Sequence, residues 1–188
     1  MKIGVLALQG DFKEHIIVLK KLNIEYCEVR LEKDLEGVSG LIIPGGESTT
    51  IGKLMHMSKL DSGIVKKNKS GMPIYGTCAG AILLSKRILE SNQPKLGLLD
   101  ISIKRNDYGR QIDSFTAQIS SKLGKISGVF IRAPIIKEFE KGVKVLAEHE
   151  KNPVLVRQGD ILASTFHPEL TNDYSVHKYF VEMVKEKK

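Results

Sequence analysis

Apolar residues fill positions 3–8 without interruption, the pattern of a strand covered on both faces of a parallel sheet. Phe12, His15, Ile16, Leu19 and Leu22 then recur at helical spacing, which predicts a helix over 12–22. Strands follow at 24–29 and 40–43, the second ending sharply at Pro44-Gly45-Gly46. Ser48-Thr49-Thr50 supplies capping residues for a helix that runs through Leu54 toward Lys59. A short strand at 73–76 and a helix at 79–89, with Ile82, Leu83 and Leu89 free to pack, continue the alternation. Strand and helix in this rhythm predict a doubly wound α/β sheet.

The rhythm changes after Pro94. Strands are expected at 98–104, 111–119, 129–131, 143–148, 154–156 and 161–166, with no helices between them. These predict an antiparallel addition that rejoins the central sheet. A helix over 173–185 closes the pattern, with Val176, Tyr179, Phe180 and Met183 on one side. No Pro-, Gly- or Ser-rich linker divides the 188 residues, so 1–188 reads as one domain.

Lys and Arg outnumber Asp and Glu by 29 to 22, a formal charge of +7 that invites a nucleic-acid reading. The lysines, however, lie singly or in short runs, and no aromatic-laced basic stripe occurs. No nucleic-acid partner is expected. No apolar run approaches the roughly 18 residues of a membrane span, and the N-terminal run is too short for a signal peptide. The expectation is a cytoplasmic protein without a membrane partner, where its two thiols stay free. Two cysteines cannot build a disulfide scaffold or a four-cysteine zinc cage, and Cys27, inside a strand pattern, reads as core.

Cys78 is different. Gly76-Thr77-Cys78-Ala79-Gly80 has the form Gly-x-nucleophile-x-Gly at a junction of strand and helix. Such a turn strains the nucleophile's backbone and leaves room only for small neighbours. It also sets the sulfur at a helix N-terminus, which favours the thiolate, with the Ala79 N–H placed to bind an oxyanion. Among five histidines, His167 has the most suggestive setting, Thr165-Phe166-His167-Pro168-Glu169. In an extended chain His167 and Glu169 point the same way, and Pro168 favours that extension. Glu169 would then fix the imidazole tautomer while the other ring nitrogen faces Cys78. His15, His56, His149 and His177 read as packing or surface positions; His15 is the closest to an exception, because it follows the Gln9-Gly10-Asp11 loop. Gly45-Gly46 lets backbone approach a ligand, lacks the ending of a phosphate loop, and suits a second oxyanion donor at Gly46.

The segments PGGES, GTCAG and FHPE, in this order, resemble a class I, triad-type glutamine amidotransferase. More narrowly, residues 3–10, 45–50, 105–115, 129–134 and 166–171 resemble the glutaminase subunit family of pyridoxal phosphate synthase, and the likeness runs from Met1 to the last helix. The resemblance implies a flavodoxin-like fold and a Cys78–His167–Glu169 triad that hydrolyses L-glutamine to glutamate and ammonia. It implies glutamine contacts from Gly46, Glu47, Ser48, Arg105, Ile131 and Arg132. It also implies delivery of the ammonia to a barrel-shaped synthase subunit as partner, with no metal and no cofactor of its own. Departures from the family pattern fall at 11–13, 107–108 and 135–136, outside the triad. A glutaminase feeding another acceptor and a DJ-1-like cysteine hydrolase are the alternatives.

Overall fold

The computed structural model describes residues 1–105 and 114–187. Its elements run β1 (Lys2–Leu6), α1 (Phe12–Lys21), β2 (Glu25–Val29), β3 (Gly40–Ile43), α2 (Ser48–Met57), α3 (Leu60–Lys69), β4 (Ile74–Thr77) and α4 (Ala79–Leu84). There follow β5 (Ser85–Ile88), β6 (Leu99–Lys104), β7 (Phe115–Ser121), β8 (Gly124–Phe130), β9 (Ile135–Phe139), β10 (Lys144–His149), β11 (Asn152–Gln158), β12 (Ile161–Ser164) and α5 (Ser175–Lys185).

One sheet has the order β2-β1-β3-β4-β12-β11-β10-β7-β8. Its first five strands are mutually parallel, in the flavodoxin-like order, and the remainder is antiparallel. Apart from the edge strand β2, the parallel strands are buried on both faces because their side chains alternate between two cores. Leu41, Ile43, Ile74, Ile161 and Ala163 pack toward α2, α3 and α4. Ile3, Val5, Ile42, Tyr75 and Leu162 pack toward α1 and α5. The expected α/β sheet with an antiparallel addition is therefore observed.

The structure corrects several boundaries. The helix expected to end near Lys59 does end there, at a left-handed Lys59 (φ 58°), but α3 starts immediately afterwards. Only Leu60, Gly63 and Ile64 of α3 are buried, so its apolar signal is drowned by Lys66, Lys67 and Lys69. Glu47, rather than the serine–threonine run, caps α2: its carboxylate accepts from the Thr49 and Thr50 N–H groups at 3.2 and 2.6 Å.

The helix expected over 79–89 stops after six residues. Ser85 Oγ donates to the Ile82 carbonyl at 2.7 Å, and the Leu83 and Leu84 carbonyls accept from Leu96 and Leu98 N–H. These loop contacts replace the next helical turn and release the chain into β5. β5, β6 and β9 form a separate three-stranded sheet, so the strand at 98–104 does not join the central one. The strand expected at 129–131 is only the tip of β8, and residues 111–113 of the strand expected at 111–119 lie outside the described residues.

The turn between β4 and α4 is packed backbone against backbone. A Cβ added to Gly80 would stand 2.1 Å from the Ile43 carbonyl oxygen of β3, a contact that cannot be relieved by a rotamer change. Gly80→Ala should therefore cost about 1–3 kcal/mol in chemical denaturation; an unchanged midpoint would show that β3 and α4 are not in this contact.

Candidate active site

Four of the five parallel strands, β1, β3, β4 and β12, deliver loops to one edge of the sheet, the crevice where open α/β sheets bind ligands. Cys78 stands between β4 and α4 with φ 47° and ψ −99°, a region that L residues avoid. The turn holds it there: the Cys78 N–H donates to the Ser164 carbonyl of β12 at 2.8 Å, and its carbonyl accepts from Ile82 N–H. Ala79 opens α4, so its N–H has no acceptor within the helix.

His167 follows β12 and is clamped to β8 through an isolated bridge with Val129, His167 N–H donating to Val129 O at 2.8 Å. Its Nδ1 lies 2.8 Å from Glu169 Oε1. The pair meets by a different route from the extended chain anticipated above. Pro168–Leu170 forms a 3-10 turn that folds the carboxylate back under the ring. Cys78 borders the same cleft as His167 and acts on the imidazole electrostatically, while its Sγ lies 4.0 Å from the Ile131 carbonyl oxygen. Burial opposes charge on this imidazole, yet the sulfur and the Glu169 carboxylate together raise its pKa above the usual histidine range.

Glu169 itself is buried, and burial would raise its pKa. The neighbouring His15 and His167 outweigh that and hold it well below the usual carboxylate range. His15, which sequence reasoning assigned to packing, thus reaches the site. Its signal was its place one helical turn after the β1 loop. Asp11, from the same loop, lies 3.6 Å from His167 Nδ1 through Oδ2; burial raises its pKa, and His167 counters. Asp11, His167 and Glu169 bring three potential metal-ligand atoms within 4.8 Å of one another. Nδ1 is already committed to Glu169, so a metal would have to displace that contact first.

Gly46, Glu47, Ser48, Cys78, Arg105, Ile131, Arg132 and His167 all border one cleft of about 640 Å³, together with Asp11. Ala79 and Glu169 lie beneath it, buried. A Cβ at Gly45 would stand 2.3 Å from His167 Cε1, so the glycine loop needs its first glycine to seat the ring. Arg132 has φ 43°, a second strained residue on the rim.

Residues 5–186 match the SNO glutamine amidotransferase family. The chain belongs to that family. The pyridoxal 5'-phosphate synthase subunit PdxT of Thermotoga neapolitana is 52% identical over 188 residues, covering 98% of this chain and 100% of that one. A crystal structure of a glutamine amidotransferase is 50% identical, with a TM-score of 0.95 over 97% of this chain and 98% of that chain. A chain of the PurLQS structure from Thermotoga maritima, 17% identical with a TM-score of 0.68 over 100% of this chain and 98% of its own, shares the fold alone.

In this SNO glutamine amidotransferase the rim is already wired. Arg105 donates to Gln93 Oε1 at 2.8 Å and to Thr49 Oγ1 at 3.1 Å, and it approaches Glu47 Oε1 at 3.4 Å. Gln93, which drew no attention in the sequence, is therefore the residue that holds the guanidinium over the cleft. The family stretch at 106–113 lies outside the described residues. Among the described residues, no helix is long and apolar enough to cross a membrane.

Because Glu169 stabilises the imidazolium, Glu169→Gln should lower the His167 pKa, by about one unit or more. NMR titration of the imidazole resonances reads this directly, and an unmoved or higher value would contradict the assigned contact.

Proposed function

We propose that this chain is, along its whole length, a glutaminase domain that hydrolyses L-glutamine to glutamate and ammonia and delivers the ammonia to a pyridoxal 5'-phosphate synthase barrel subunit in the cytoplasm. The observation that carries the reading is an imidazole bonded to a buried carboxylate on the same cleft as a cysteine held in a strained turn. Membership of the SNO family supports it, as does a PdxT relative at 52% identity.

In the proposed mechanism the Cys78 thiolate attacks the side-chain amide carbon of glutamine. The carbonyl oxygen becomes an oxyanion held by the Ala79 and Gly46 N–H groups. His167, protonated, gives its proton to the leaving nitrogen as the C–N bond breaks, leaving a glutamyl thioester and free ammonia. His167 then takes a proton from water, whose oxygen attacks the thioester and releases glutamate and the thiolate. Glu169 orients the ring and balances its charge throughout.

Glutamine itself is read as lying along the cleft. Gly46, Glu47, Ser48 and Ile131 with Arg132 offer backbone and polar contacts, and the Arg105 fork suits a carboxylate. The Glu47 carboxylate is kept ionised despite partial burial by its capping bonds to Thr49 and Thr50, and it pairs with Arg105 on the rim. Free ammonia would be protonated in bulk water and lost as a nucleophile, which is why the reading requires an acceptor subunit docked over the cleft.

Glutamine-dependent ammonia release tests this, measured with and without the synthase subunit. Activity should rise on adding the subunit. Cys78→Ala should abolish turnover, by about a thousandfold or more, and Glu169→Gln should cost less than His167→Ala. Substantial activity in Cys78→Ala would overturn the assignment.

A further inference from the structure

Two histidines outside the proposed triad are wholly buried on the side of the sheet away from α4. His15 comes from α1 and His177 from α5, and both have no solvent exposure. His15 Nδ1 lies 2.9 Å from His177 Nε2. The opposite nitrogen, His15 Nε2, lies 3.1 Å from Thr77 Oγ1 and 3.4 Å from Glu169 Oε1. Thr77 Oγ1 in turn donates to Glu169 Oε1 at 3.5 Å. Tyr75 stands edge-on to both imidazoles, so these polar atoms are shut in by rings.

Counting protons gives this cluster a direction. A neutral imidazole has one N–H and one lone pair. Burial pushes the His177 pKa down to about 3, so His177 is neutral. His177 Nδ1 has no partner among the described residues. If His15 carries its proton on Nε2, that N–H faces Thr77 and the carboxylate, and His15 Nδ1 accepts from His177 Nε2. The one unmatched imidazole nitrogen of the pair, His177 Nδ1, then carries only a lone pair. In the reverse arrangement a lone pair faces the carboxylate and His177 keeps a buried N–H with no acceptor. Both features are expensive, whereas an unused lone pair is cheap. The first arrangement also matches where the carboxylate's partners converge, since Oε1 receives every contact and Oε2 has none among the described residues.

We propose that His15, locked in one tautomer by His177, is a positioning residue that keeps Glu169 ionised and aimed at His167. The hydrogen-bond chain then runs from α5 through α1 and β4 to Glu169 and on to His167. This inference rests on the reading of Cys78, His167 and Glu169 as a triad. The titratable groups around Glu169 are His167 beside it, Asp11 from the β1 loop, His15 from α1, Tyr75 from β4 and His177 from α5.

The test uses the full chain with its synthase subunit and compares wild type, His15→Phe and His15→Gln. Phe keeps the volume and removes the donor; Gln restores an N–H at the position of Nε2. His15→Phe should lower kcat by about 10–100-fold, the range seen for outer partners of metal-bound histidines, with KM unchanged because His15 does not border the cleft. In carboxyl-carbon NMR the Glu169 titration should move up by about one unit in His15→Phe, and His15→Gln should recover part of both effects. Folded variants with wild-type kcat and an unmoved Glu169 titration would overturn the proposal. If His15→Phe does not fold, imidazole nitrogen NMR on the unsubstituted chain decides: protonated Nε2 on both His15 and His177 supports it, and protonated Nδ1 on His15 overturns it. Failure of the triad reading looks different, because wild type itself would then release no ammonia.

Discussion

A carboxylate taken out of water costs several kcal/mol unless charge and hydrogen bonds meet it. Glu169 is such a group, its side chain fully shielded beneath the cleft. Its one engaged oxygen is met by His167 from the turn after β12, by His15 from α1 and by Thr77 from β4. Three elements far apart in the chain must therefore be in register before the charge is tolerable. The strand order that places β4 beside β12, and α1 over the end of β1, is what makes that meeting possible.

The rest of the site follows from this fixed point. With Glu169 held, the 3-10 turn aims the His167 ring across the cleft, and the bridge to Val129 fixes its height. Cys78 is forced up to meet the ring by a turn whose backbone conformation is otherwise unfavourable, and that strain is tolerated because Gly80 lets α4 press onto β3. Strained residues at Cys78 and Arg132 border the same cleft, as do Arg105 and Glu47, with buried Gln93 bracing the guanidinium from behind. Rigid floor and polar wall together describe a site prepared for a small polar amide.

Much of this was legible in the sequence because it is local. The run at 3–8, the turn at Pro44-Gly45-Gly46 and the elbow at Cys78 each carry their own steric reason, and His167 and Glu169 sit two residues apart. What was not legible depends on distant partners. α4 ends early because Leu96 and Leu98, more than ten residues on, take its carbonyls. α3 has too few buried residues to announce itself. His15 and His177 share the spacing of ordinary core residues, and only the fold, which brings positions 162 residues apart to 2.9 Å, turns them into neighbours of the carboxylate. Gln93 likewise gains its role from Arg105, which it meets only after β5 and β6 have been built.

In the proposed reading Cys78 is a glutamine-directed nucleophile activated by His167 over Glu169. The most direct measurement is mass spectrometry of the chain treated with a diazoketone analogue of glutamine. The account predicts a single adduct on Cys78, none on Cys27, slowed by free glutamine and slowed again in His167→Ala. Labelling of Cys27 at a comparable rate, or labelling of Cys78 that glutamine does not protect, would contradict it.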